Sequence, residues 1–178
     1  MTLEQLYDRI PEYAKDQRLN LQNVLKQTEL SEQQTWGTVI ACAIAVRLKP
    51  LADVLIAEAN KVATPETQNA AKAAAAVMGM NNVYYRFTHM VTGEKYATIP
   101  ARLRMNVIRT HGGDPVDFEL YCTAVSAINN CQACVGAHEK VLREKGVSEE
   151  TILAAVRIAA VIHAIASVLD YEGVVAAA

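Results

Sequence analysis

The chain has 178 residues, 52 % of them hydrophobic and only 6 % aromatic, with 17 Lys and Arg against 19 Asp and Glu and a formal net charge of −2. That is enough for one sizeable core, so a single domain over residues 1–178 is expected, and the abundance of alanine favours close-packed helices over a sandwich of strands. Neither sign of charge forms a block, which argues against a nucleic-acid stripe and a polybasic membrane patch.

The opening Met1-Thr2-Leu3-Glu4-Gln5 carries an acid and leads into no long apolar stretch, so no secretory signal is recognised and a cytoplasmic location is expected. Thr2 can cap a short first helix that Pro11 interrupts, and the first helical region should end near Lys26. Ser31 followed by Gln34 is a capping-box signature, and Trp36 to Arg47 has the apolar density of a core helix. Pro50 opens another helix. Thr64-Pro65-Glu66 sets a cap, a first-position proline and a first-turn acid before an alanine-rich helix through Met80. Gly93-Glu94-Lys95 reads as a loop, Pro100 starts a helix through Arg109, and His111-Gly112-Gly113 ends it. Asp114-Pro115 opens a helix carrying Glu119 and Cys122, and Asn129-Asn130 closes it and leads into the next. Gly146 stops that helix, Ser148 caps the last, and the tail from Gly173 to Ala178 should fray. Ile152 to Leu169 is the most apolar stretch, but Arg157 and His163 interrupt it, so it reads as a buried or interface helix. The fold class that follows is all-α, a helical bundle.

An internal repeat is suggested by two echoes, Val77 to Asn82 with Val125 to Asn130, and Leu30 to Gln33 with Val147 to Glu150, although the two spacings disagree. In the first echo Val83 and Arg86 would stand in place of two cysteines.

Those cysteines head the run Cys131-Gln132-Ala133-Cys134-Val135-Gly136-Ala137-His138. On a helix the side chains of Cys131, Cys134 and His138 fall within an arc of about 60°. A free thiol of pKa roughly 8.5 is mostly protonated at neutral pH, and a base one turn away or a helix N-terminus favours the reactive thiolate. Cys131, in a helix's first turn, and His138, one turn after Cys134, offer both. A redox dithiol is the leading reading. Zinc is a rival, with Glu119 or Cys122 completing an improvised site, but a second ligand pair of the usual spacing is absent. Cys42 and Cys122 lie in apolar surroundings and read as inert packing residues. His89 and His111 read as solvent-facing, and His163 as a core or interface residue. Met78, Met80, Met105, Tyr84 and Tyr85 read as core or subunit contacts.

The chain resembles the alkyl hydroperoxidase D family of the carboxymuconolactone decarboxylase-like superfamily. The similarity runs through Pro11 to Asp16, Trp36-Gly37-Thr38, Ala76 to Arg86, Leu103 to Ile108 and Phe118-Glu119-Leu120. The family motif is a glutamate, eleven intervening residues and then Cys-x-x-Cys-x-x-x-His, and Glu119, Cys131, Cys134 and His138 meet it throughout. The resemblance implies a homo-oligomer, often a trimer, and an antioxidant alkyl hydroperoxide reductase with no bound metal, haem or flavin. It also implies roles: Cys134 attacks the peroxide, Cys131 condenses with the sulfenic acid and exchanges with partners, and His138 with Glu119 relays the proton. A dihydrolipoamide-type dithiol is the implied reductant, with a dihydrolipoyl-bearing protein and a peroxiredoxin as implied partners. Two alternatives remain open, a thiol-disulfide adaptor with little peroxidase activity of its own and a non-redox zinc-binding helical module. Gln132 cannot titrate, and His163 is a candidate second imidazole for the relay.

Overall fold

The computed structural model describes residues 1–174, apart from the side chain of Ala97, and these residues form ten α-helices and one 3-10 turn. The helices are α1 (Leu3–Asp8), α2 (Lys15–Val24), α3 (Glu32–Ala45), α4 (Lys49–Ala59), α5 (Pro65–Met90), α6 (Lys95–Thr98), α7 (Val107–Thr110), α8 (Pro115–Ile128), α9 (Gln132–Glu144) and α10 (Glu149–Tyr171). The 3-10 turn spans Glu12–Ala14, directly after Pro11. No strand occurs among the described residues, and the all-α expectation holds. Most of the expected tail, residues 175–178, lies outside the described residues.

The helix starts follow the capping chemistry. Thr2 with Gln5 and Ser31 with Gln34 form reciprocal capping boxes, so each satisfies two backbone donors that the first turn leaves orphaned. Thr64, Asp114 and Ser148 cap α5, α8 and α10 through side-chain oxygens, and Pro65 and Pro115 occupy first-turn positions where the missing N–H costs nothing. α5 runs ten residues past Met80, where its predicted helix stopped, to Met90. The helix expected from Pro100 to Arg109 does not form: only Val107–Thr110 is helical, and Arg102 stands at φ 53°. Ile99 and Leu103 are exposed, so this segment has no apolar face buried firmly enough to offset the cost of helix nucleation.

α3 and α8 cross at the centre, and each packs against both long helices, α5 and α10. Their residues explain that position, because α3 buries every side from Gly37 to Ala43 and α8 every side from Phe118 to Ser126. A helix apolar all round must sit inside. Leu6, Leu21, Leu55 and Ile158 complete the core from other helices, each burial stabilising by about 1.5–3 kcal/mol. α10 is long and apolar enough to cross a membrane, yet one face of it, from Ile152 through Ile158, Ile162 and Ile165 to Leu169, is buried in this core, as expected of a buried or interface helix.

The structure repeats one succession of helices and one joint conformation, in a register different from the one the sequence echoes suggested. Helices of 14, 11 and 26 residues (α3, α4, α5) are followed later by helices of 14, 13 and 23 (α8, α9, α10). Arg47 and Asn130 both stand in the left-handed region, at φ 61° and 54°, just before the N-caps of α4 and α9. Those caps, Leu48 and Cys131, share a backbone conformation (φ −96°, ψ 97° and φ −101°, ψ 89°). In this register Leu51 stands for Cys134, Leu55 for His138 and Trp36 for Glu119. Val83 and Arg86 therefore do not replace the cysteines. Asn81-Asn82 lies inside α5, and its likeness to the joint Asn129-Asn130 is not an equivalence.

At Gly37 α3 and α8 are in close contact, because an added Cβ would overlap the ring and hydroxyl of Tyr121. Tyr121 is 1 % exposed and its hydroxyl donates to the Gln33 carbonyl at 3.2 Å. Neither α3 nor the phenol can move away cheaply. Gly37→Ala is expected to destabilise by about 1–3 kcal/mol, read as a lower urea midpoint at unchanged m-value.

His111 is not solvent-facing. It is 6 % exposed, stacks on Phe118 with centroids 4.1 Å apart, and its Nδ1 accepts from the Gly113 N–H at 3.1 Å. Burial lowers its pKa below the ordinary 6.5, against the opposing pull of Asp114 and Glu119. A folded state that resists protonation binds fewer protons than the unfolded chain below pH about 6.5, so stability falls as pH drops through that value. His111→Phe keeps the stack and removes the titration. The expected outcome is a Tm difference between wild type and variant that shifts in favour of the variant on going from pH about 7.5 to about 5; a difference independent of pH counts against it.

Candidate active site

The site begins at the joint between α8 and α9. Asn130 in the left-handed conformation lets the Cys131 N–H reach back to the Ser126 carbonyl at 3.1 Å and the Asn130 N–H to Ala127 at 3.1 Å, the paired bonds that close a helix C-terminus. Asparagine tolerates this conformation better than most residues. The chain then turns straight into α9, and Cys131 is its N-cap, one position before the first turn expected. The Cys131 Sγ accepts from the Cys134 N–H at 3.3 Å and is disulfide-bonded to Cys134, with the two Cα atoms 5.3 Å apart.

Side chains from the middle of α5 hold this joint. Asn82 Nδ2 donates to Ser126 Oγ at 2.9 Å, and Asn82 Oδ1 accepts from Asn129 Nδ2 at 2.9 Å. Arg86 donates from Nη1 to the Asn129 carbonyl at 2.7 Å, a carbonyl at the end of α8. Asn82 and Ser126 are fully buried, and each hydrogen bond left unmade there would cost about 1–3 kcal/mol.

The hairpin of α8 and α9 brings Glu119 to His138. The Glu119 Oε2 lies 2.6 Å from His138 Nδ1, and a carboxylate only accepts, so Nδ1 carries a proton. Both side chains are largely buried. His138 Nε2 lies 3.2 Å from the Met78 Sδ on α5. Periodicity could not connect Glu119 with the cysteine helix, because the helix breaks between them.

A cavity of about 380 Å³ opens between α5 and α9. Its polar border is Asn81, His89, Cys134 and His138, and Met78, Tyr85, Met105 and Ile108 form its apolar side. Met78 and Met105 were read as core or subunit contacts from sequence, and Met78 does belong to the core and Met105 packs against it; both also line this wall, together with Tyr85, which was read the same way. Met78, Asn81, Tyr85 and His89 recur every three or four positions on α5, so one stripe of that helix faces the cavity. A polar asparagine in such a stripe was the available signal. Cys134 is 6 % exposed and borders the cavity, with its Sγ 3.9 Å from the Asn81 carbonyl oxygen. Cys131, the thiol expected to exchange with partners, is 0 % exposed.

Several other candidates fall outside. His163 is exposed on α10 beside a separate cavity bordered by Arg47, Leu48 and Asp170, so it does not supply a second imidazole here. Gln132 is exposed. Cys42 and Cys122 are fully buried, and burial pushes both thiols well above their ordinary range, Cys122 with added repulsion from Glu119. Both are inert packing residues, as expected. Among the described residues no group of three or more His, Cys, Asp or Glu is placed to hold a metal.

A model of the carboxymuconolactone decarboxylase family matches residues 94–177. The chain is 60 % identical over 172 residues to a protein of Solibacter usitatus, covering 97 % of each chain. It is 54 % identical to one of Acidobacterium capsulatum over 98 % of this chain and 96 % of that one, and 51 % identical to one of Streptomyces coelicolor over 99 % of each. All three are named alkyl hydroperoxide reductase AhpD. With a disulfide-forming pair at its cavity and relatives this similar over nearly their whole length, the chain belongs to the AhpD family and is an oxidoreductase of the peroxidase type with an antioxidant role.

Proposed function

We propose that the protein reduces alkyl hydroperoxides at Cys134, using Cys131, His138 and Glu119 and no bound cofactor. The observation that carries this reading is that Cys134, disulfide-bonded to Cys131, and His138, hydrogen-bonded to Glu119, border one cavity. His138 takes the proton of Cys134, and Glu119 holds the imidazole and stabilises its positive charge. The Cys134 thiolate attacks the terminal oxygen of the hydroperoxide; an S–O bond forms, the O–O bond breaks, and the departing alkoxide leaves as the alcohol with a proton from His138. Cys131 then attacks the sulfenic sulfur, and water departs as the disulfide closes. The apolar side of the cavity suits the alkyl group.

A dithiol of the dihydrolipoamide type reopens the disulfide, with a dihydrolipoyl-bearing protein as its physiological source and a peroxiredoxin as a further partner for the electrons. Such a cycle operates in a reducing cytoplasm. Because Cys134 borders the cavity and Cys131 is buried, the incoming thiolate attacks Cys134 and Cys131 leaves. A leaving thiolate is favoured at a helix N-cap, where the unsatisfied amides and the helix dipole stabilise negative charge. The protein also works as a homo-oligomer, a trimer by our reading. That is supported by Val83, Phe87 and Met90, which expose 58, 50 and 74 % of their surface along one stripe of α5.

Peroxide turnover with dihydrolipoamide, followed together with trapping of sulfenic acid, tests the assignment. Cys131→Ser is expected to accumulate sulfenic acid and Cys134→Ser to form none; the reverse pattern overturns the order of the two cysteines. Glu119→Gln keeps the shape and loses the charge, and is expected to lower kcat/KM for peroxide by about 10²-fold.

A further inference from the structure

We propose that Asn81 is a further catalytic residue, whose side-chain amide donates a hydrogen bond to the bound hydroperoxide beside Cys134 and stabilises the negative charge growing on the departing oxygen. This rests on the peroxidase reading of the same cavity.

Asn81 is 5 % exposed, and among the described residues its side chain makes no hydrogen bond. Its Oδ1 is fully enclosed without a partner, and its Nδ2 makes no hydrogen bond either, at a residue that borders the cavity. The next residue shows how unusual this is. Asn82, of the same type and also buried, satisfies both ends of its amide on the α8–α9 joint. About 100° around the helix, Asn81 is turned to the cavity instead. An enclosed amide without partners lowers stability, and such a group in a functional cavity points to a bond made only when a ligand is present.

Its placement fits the chemistry. The Asn81 backbone carbonyl oxygen is 3.9 Å from the Cys134 Sγ, so the same residue borders the attacking sulfur. Glu119 holds the imidazole of His138 at Nδ1, which leaves Nε2, 3.2 Å from the Met78 Sδ, to move the proton. During attack the S–O bond forms as the O–O bond breaks, two electrons pass from sulfur to the peroxide, and charge collects on the alkyl-bearing oxygen until His138 protonates it. The Asn81 N–H holds that charge and transfers no proton. A fixed donor in a site with little water is worth far more than one in solvent.

The test compares wild type with Asn81→Leu, similar in size and without a donor, in separate half-reactions. With cumene hydroperoxide and the reduced protein in stopped flow, the second-order rate constant is expected to fall by about 10²-fold. The pH profile of Cys134 alkylation by iodoacetamide and the rate of disulfide reduction by dihydrolipoamide should be unchanged, because neither develops charge on a peroxide oxygen. Tm should be equal to or above that of wild type. A peroxide rate within threefold of wild type overturns the inference, and so does an equal loss in all three reactions, which marks a structural role. If Asn81→Leu fails to fold, Asn81→Ala is judged by the same criteria. Failure of the peroxidase reading looks different: wild type itself then does not react with the hydroperoxide, or Cys134→Ser retains the reaction.

Discussion

The position of α9 depends on a small set of buried hydrogen bonds between the middle of α5 and the end of α8. A helix leaves its last carbonyls unsatisfied, and a turn that reverses within three residues has little room to hydrate them. Arg86 answers the Asn129 carbonyl, Asn82 bridges Asn129 and Ser126, and the left-handed Asn130 aims the Cys131 N–H back into α8. Each bond constrains the same few residues. The result is that the sulfur of Cys131 sits at the N-cap of α9 and the sulfur of Cys134 one turn on, at the cavity. α5 both anchors the joint, with Asn82 and Arg86, and lines the cavity, with Met78, Asn81, Tyr85 and His89. The two sides of one rigid helix thus set the distance between the cavity wall and the disulfide.

The repeat separates what the backbone does from what the side chains do. Arg47 and Leu48 turn the chain into α4 as Asn130 and Cys131 turn it into α9, so the joint is a property of the fold and does not require cysteine. In the first half the matching positions are Leu51 and Leu55, both fully buried, and they add to the core. In the second half Cys134, His138 and Glu119 occupy that frame and leave a cavity open. In the function we propose, the chemistry is thus carried by a few side chains on a backbone arrangement that occurs twice. The exposed His163, beside Arg47 and Leu48, lies next to the joint of the other half, which is why its apolar neighbours gave no reliable clue to its place.

Much of the architecture was legible because capping chemistry is local. Ser31 with Gln34, Thr64-Pro65, Asp114-Pro115 and Ser148 each announce a helix within four residues, and the structure starts helices there. The segment from Pro100 to Arg109 misled because a first-turn proline permits a helix without supplying a core to bury it. His111 misled because a position near a helix end says nothing of what packs over it, here Phe118 from the following helix. The repeat was detectable but misaligned, since Asn-Asn serves as a helix end at one place and as two mid-helix residues at the other. At the site, Cys131, Cys134 and His138 share one helix and could be grouped by periodicity. Glu119 could not, because its approach to His138 depends on how sharply α8 folds back on α9. The cavity wall on α5 was hidden for a similar reason: a stripe of Met, Asn, Tyr and His has the spacing of a core face, and only the absence of a packed partner turns it into a binding surface.

The burial of the two cysteines makes the dithiol directional. A symmetric exposed pair would offer either sulfur to peroxide and to reductant, and the sequence of events would then be set by pKa alone. Here Cys131 is enclosed at the joint and Cys134 faces the cavity, so access and electrostatics assign different tasks. The Cys134 sulfur borders the cavity beside His138. The Cys131 sulfur lies where the first amides of α9 converge, a place that favours a thiolate, with the Cys134 N–H directed at it. In the cycle we propose, oxidation and reduction enter through the same opening without exposing Cys131, and the joint held by Asn82 and Arg86 opens in neither direction.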